Sequence, residues 1–141
     1  MRVAVTIARY LLGIIFLVFG LNGFFGFIPQ PPPAPAAGAL LGAFVESGYL
    51  MTLVKLTEVV VGALLLSGRF VPLALLALLP VTVNIFAFHL FLDPAFPGMG
   101  IAALVFGLNV FLIWAYRAYY APLKEATAEP AVSAVGHPAR A

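Results

Sequence analysis

Two ionisable residues stand inside an apolar run. In MTLVKLTEVVVGALLLSGRF (51–70), Lys55 and Glu58 are three residues apart in a segment otherwise suited to hydrocarbon. On a helix they share one stripe with Gly62 and Arg69, with Glu58 near the middle of the run and Lys55 about one to one and a half turns from one end. A lone charge at the bilayer centre costs about 2.5–3.5 kcal/mol on insertion scales. A Lys–Glu pair one turn apart neutralises itself, and neighbouring amides can meet its remaining donors and acceptors. Such groups are candidates for proton transfer or for holding a polar ligand atom.

Other apolar runs supply amides at similar depth. Asn22 lies in Gly20-Leu21-Asn22-Gly23, Asn84 in the run 70–92, and Asn109 in the run 99–120. His89 and Asp93 follow Asn84 and are four apart, on one face of a helix. The expected arrangement is a polar cluster of Asn22, Lys55, Glu58, Asn84 and Asn109 in one half of a bundle, with His89 and Asp93 at its rim. Asn84 and His89 differ by about 140° around the helix, which assigns Asn84 inward and His89 to the mouth or a groove. The cluster has two readings. It is a ligand or proton pocket, or it is a buried ion pair with amide bonds that fix helix register. His89 has no second His or Cys nearby, so no metal site is expected. No Ser/His/Asp spacing, phosphate loop or paired glycosidase-like carboxylates appears, and no catalytic residue is assigned.

The elements that must carry these residues follow from composition. The chain of 141 residues is 64% hydrophobic and 9% charged, with a mean hydropathy of +1.13. Soluble domains carry about 25% charged residues, so this composition describes a membrane protein. Four apolar runs, at roughly 3–28, 49–67, 70–92 and 99–120, are each near the ~20 residues that cross a bilayer. Their length and lack of alternation exclude strands. The turns Ser67-Gly68-Arg69 and 93–98 are short, which predicts an antiparallel four-helix bundle over 1–121.

The first connection begins PQPPPAPAAG (29–38) and cannot be helical at its start, whereas 39–47 suits a short interfacial helix. The first run exceeds the 7–15 apolar residues of a signal peptide and reads as a retained helix. Its Arg9 shares a face with Gly13, Gly20 and Gly23 and suits a lipid phosphate; those glycines and Gly26 read as close-packing positions. The tail, 122–141 with His137 and Arg140, is expected to be a flexible cytoplasmic segment.

Charge sets the orientation. Arg2, Arg9, Arg69, Arg117 and Lys124 fall on one side, and the loops on the other side hold Glu46 and Asp93 but no Lys or Arg. The positive-inside rule places both termini in the cytoplasm and the polar cluster in the outer half. Tyr116, Tyr119 and Tyr120, with Trp114 a turn deeper, form an aromatic anchor at the cytoplasmic interface. The absence of cysteine removes disulfides and thiolate chemistry, and the scattered basic residues give no footprint for nucleic acid.

Several motifs carry a family likeness. Arg-Tyr-Leu-Leu-Gly (9–13) leads to Gly-Leu-Asn-Gly (20–23). Then follow Lys55-x-x-Glu58-x-x-x-Gly62, Leu-Leu-x-Gly-Arg (65–69) and Pro80-Val-Thr-Val-Asn84 with His89-x-Phe-Leu-Asp93-Pro. Over about residues 5–118 the chain resembles the DoxX-like family of small bacterial membrane proteins. The resemblance implies a four-helix inner-membrane bundle. Through relatives named for thiosulfate:quinone oxidoreductase subunits, it also implies quinone-linked redox chemistry with a protein partner.

The leading expectation is therefore an inner-membrane subunit that binds a lipophilic molecule such as a quinone in the outer-half cluster, with electrons supplied by a redox partner. The alternatives are a structural or assembly subunit without a ligand, and a small-molecule transporter acting as a homo-oligomer. Four helices without an inverted repeat disfavour the last.

Overall fold

Six helical segments follow from caps and breakers in the sequence. The computed structural model describes residues 1–127. Helix α1 spans Arg2–Phe25, α2 Pro35–Glu46, α3 Leu50–Ser67, α4 Val71–Phe91 and α5 Gly98–Ala115, and 3-10 turns run from Arg117 to Lys124. Four of these, α1, α3, α4 and α5, are long and apolar enough to cross a membrane.

The element ends differ from the expected runs for local reasons. Helix α1 stops at Phe25 rather than at 28 because Gly26 takes the left-handed conformation (φ 61°) and returns its N–H to Asn22. Gly26 is thus a cap, and no atom packs close to the space its side chain would fill. Helix α2 begins at Pro35, four residues before the expected start, since proline suits the first helical turn, where its missing N–H is not needed. Helix α5 ends at Ala115 rather than at 120. There the chain tightens into 3-10 turns, and Tyr120 donates its hydroxyl to the Pro72 carbonyl at 2.9 Å. This bond pins the end of the bundle to the start of α4. The expected tail begins inside these turns; residues 128–141, with His137 and Arg140, lie outside the described residues.

Helix α1 packs most extensively on α3, and α4 on α5. Contacts of α3 with α4 and of α1 with α5 close the ring, and α2 rests on α3. The result is an all-α, antiparallel four-helix membrane bundle with a Pro-rich first connection. Leu12 and Phe16 from α1, Leu65 from α3, Leu75 and Leu78 from α4, and Val105 and Leu112 from α5 form its core.

The α1–α3 seam is built on missing side chains. A Cβ at Gly20 would lie 2.8 Å from Val59 Cγ2 and 3.0 Å from Glu58 Cβ, and one at Gly62 would lie 2.6 Å from the Leu17 backbone nitrogen. One at Gly13 would meet Leu66 and Leu65 at 3.0–3.2 Å. Small residues let two membrane helices approach until their backbones touch, where dispersion rather than water drives packing.

Candidate functional site

The polar centre of the bundle is the Lys55–Glu58 pair under the glycine face of α1. Nζ of Lys55 donates to Glu58 Oε2 at 2.8 Å. The Glu58 side chain is 4% exposed and that of Lys55 23%, so the glutamate is sealed and the lysine side chain is partly open. Gly20 faces Glu58, and Gly23 faces the alkyl stem of Lys55, where a Cβ would overlap Cγ and Cδ. In antiparallel register, Gly20-x-x-Gly23 on one helix thus matches Lys55-x-x-Glu58 on the other. That matched three-residue spacing is the sequence signal for the seam.

The amides do not converge on this pair. Asn22 spends its side chain on the chain just beyond α1: Oδ1 accepts from the Ile28 N–H at 2.6 Å, and Nδ2 reaches the Ile28 carbonyl at 3.4 Å. It holds the exit of α1 rather than a ligand. Asn84, expected to face inward, is exposed on the outer face of α4, where Nδ2 donates to the Pro80 carbonyl at 2.8 Å. The carbonyl four residues back meets that donor, so the amide needs no partner inside the bundle, and α4, apolar on all sides, sets no inward face for it. Asn109 is fully buried, but its Nδ2 donates to Thr82 Oγ1 of α4 at 2.9 Å. Thr82 passes the chain on to the Leu79 carbonyl at 3.0 Å, and Asn109 Oδ1 has no partner among the described residues.

His89 and Asp93, expected at the rim of the polar cluster, meet at the end of α4 through the Asp93 backbone, and neither lines the α3–α4 groove or the α1–α5 groove. His89 Nδ1 lies 3.2 Å from the Asp93 carbonyl oxygen. The imidazole also packs on the start of α5, since a Cβ at Gly98 would fall 2.6 Å from Cε1. Among the described residues no three His, Asp or Glu side chains gather as a metal-holding group.

Two residues play parts that the sequence pattern did not assign. Thr82 is the partner of Asn109, and a threonine that bonds its own helix leaves no mark on an apolar run. Arg9, expected to meet a lipid phosphate, instead donates Nη1 to the Leu65 carbonyl and lies over the Tyr10 ring at 4.5 Å. The last carbonyls of a helix lack intrahelical donors and carry its negative end, so a guanidinium there caps α3.

Two grooves mark the surface. One of about 280 Å³ lies between α3 and α4, lined by Leu56, Thr57, Val60, Leu64, Leu73 and Ala77 among others. The second, of about 530 Å³, lies at the opposite end from Lys55, between the start of α1 and the end of α5. Neither includes Lys55 or Glu58.

No curated protein and no solved structure matches the chain. A family model described as DoxX matches residues 4–90, which takes in nearly all of α1 to α4, with the glycine seam and the Lys55–Glu58 pair. This multi-pass membrane protein belongs to the DoxX family.

Proposed function

We propose that the chain is a subunit of a quinone-linked oxidoreductase in the bacterial inner membrane, and that Lys55 is its contact with a lipophilic carbonyl compound such as a quinone. The carrying observation is the state of the ammonium. It has three donors and, among the described residues, uses one, on Glu58. In hydrocarbon, unmet donors are costly, and a carbonyl oxygen on an apolar ring meets one while suiting the surrounding lipid. Glu58, sealed behind Lys55, holds the positive charge in place and can take up or return a proton as the ligand oxygen changes charge. Electrons come from a partner protein. The gathering of Arg2, Arg69 and Arg117 at one end supports cytoplasmic termini and a ligand in the outer half. His89 and Asp93 lie at the outer end of α4, where a proton would leave. Asn22 holds the exit of α1 and Asn109 ties α5 to α4 through Thr82, so neither is a ligand contact in this scheme, and Asn84 belongs to the outer surface.

Calorimetric titration of the purified protein with a short-chain quinone tests this. Saturable binding is expected, and its loss in a Lys55→Met/Glu58→Leu variant that keeps its helix content and melting temperature. An isolated buried pair can be replaced by apolar residues without loss of stability, so that variant is expected to fold. Wild-type protein without saturable binding overturns the proposal.

One observation favours a second reading, an assembly subunit. Asn84 presents an amide to the lipid-facing side of α4, which is half of an interhelical hydrogen bond. A helix from a second copy or from another membrane subunit supplies the other half.

A further inference from the structure

The groove between the start of α1 and the end of α5 has a chemistry unlike the rest of the surface. It is lined by Arg2 and Thr6 from α1 and by Trp114, Tyr116, Arg117 and Tyr119 from the end of α5 and the turns beyond it. Arg117 is held ready: Nη1 donates to the Trp114 carbonyl at 3.1 Å, and its guanidinium carbon lies 4.7 Å from the Trp114 ring centre. That posture fixes the plane of the fork and leaves its other donors open. The Arg2 guanidinium is exposed and makes no hydrogen bond or ion pair among the described residues.

Among the described residues no carboxylate pairs with the charges at this end. Among the described residues, Glu46 and Asp93 lie at the other end, Glu58 is paired with Lys55, and Glu125 makes no salt bridge. Two guanidinium groups therefore flank a groove of about 530 Å³ with no carboxylate in its lining. Guanidinium favours phosphate oxygens through paired N–H donors. Trp and Tyr side chains set the groove at headgroup depth, where apolar ring and polar edge each find their medium. Deeper on α5, Val110 lies one turn from Trp114 on the same face and is exposed apolar surface against which an acyl chain can lie.

We infer that this groove is a binding site for the phosphodiester headgroup of an anionic phospholipid, clamped between Arg2 and Arg117. The site is separate from Lys55 and does not depend on the quinone reading. It attaches the ends of α1 and α5 to one lipid, at the point where the bundle ring closes.

Trp114 is the single tryptophan of the chain and reports on the groove directly. Purified protein in a neutral detergent would be titrated with short-chain phosphatidylglycerol, with phosphatidylcholine of the same chains, and with inorganic phosphate, while Trp114 emission is followed. Phosphatidylglycerol is expected to give a saturable change at concentrations where the other two give none. Arg2→Gln with Arg117→Gln should raise the half-saturation concentration at least tenfold, and Arg2→Lys with Arg117→Lys should recover part of it. Arg69→Gln, which removes a charge at the same end but outside the groove, should leave it unchanged. Native mass spectrometry of retained lipid gives a second readout that does not depend on the indole. An equal response to phosphatidylcholine overturns the inference, as does saturation by inorganic phosphate alone, unaltered affinity in the double Gln variant, or an equal loss in Arg69→Gln.

Discussion

The alkyl stem of Lys55 lies across the backbone of α1 at Gly23, in the space that any larger residue there would need. The charge of α3 is thus admitted into the bundle by the absence of a side chain on α1. Gly20 does the same for Glu58 and Val59. The ion pair and the glycine seam are one structural unit.

Substitution of the two sets of glycines should separate flexible from rigid neighbours. Gly23→Ala meets a lysine stem that can shift, whereas Gly62→Ala meets the Leu17 backbone nitrogen at 2.6 Å. Overpacking costs about 1–3 kcal/mol, and alanine returns up to about 1 kcal/mol of helix propensity. Gly62→Ala is expected to destabilise by about 2 kcal/mol and Gly23→Ala by less. Unfolding in mixed detergent micelles measures both; equal losses would show that the Lys55 stem is as fixed as backbone. Gly23→Ala should also weaken quinone binding, because it moves the ammonium.

Arg9 is expected to act as a cap for α3. Arg9→Ala removes the donor to the Leu65 carbonyl and should cost about 1–2 kcal/mol. Arg9→Lys should restore part of this, since it returns a cation to the helix end without the planar fork. Hydrogen exchange at the end of α3 provides the check: faster exchange from Leu65 to Arg69 in Arg9→Ala is expected, and unchanged rates would remove the capping role.

Thr82 and Asn109 should behave as a pair. Thr82→Val alone leaves a second unmet group on Asn109, whose Oδ1 already lacks a partner among the described residues. A loss of about 1 kcal/mol is expected, within the range of interhelical hydrogen bonds in membranes. Thr82→Val with Asn109→Leu removes both partners and should be close to neutral. A double-mutant cycle on melting reads the coupling directly, and additive losses would mean that the two side chains do not depend on each other.

Asn84 carries the assembly reading. Asn84→Leu should leave the melting temperature of the monomer within about 2 °C, the scale of a surface change. It should abolish self-association or partner capture, measured by energy transfer between labelled copies in vesicles and by co-purification from native membranes. Association that is unchanged in both assays would remove Asn84 from any interface.

The sequence revealed α3 far better than α4. In α3, the Lys55, Glu58 and Gly62 stripe gives the helix a direction, and the glycines of α1 supply a matching face. Helix α4 is apolar all round, so its pattern holds no phase, and nothing distinguishes a buried Thr82 from an exposed Asn84 two residues later. Lipid accepts the same side chains as a membrane-protein core, and the contrast that orients soluble helices is lost. The four spans were legible because their lengths are set by bilayer thickness. The amide partners were not, because Ile28 and Pro80 offer backbone carbonyls that compete with any distant side chain.

The tightest seam joins α1 to α3, which are separated by the long first connection, rather than the α3–α4 hairpin. During synthesis, α1 leaves the ribosome before its companion α3. Its row of glycines then forms a vacant dock in the lipid, and the charged helix can be delivered against it instead of being abandoned to hydrocarbon. The order of the genetic message thereby matches the order in which the membrane can accept each segment. Breaking the chain in the first connection and supplying its two pieces together should still yield an assembled bundle.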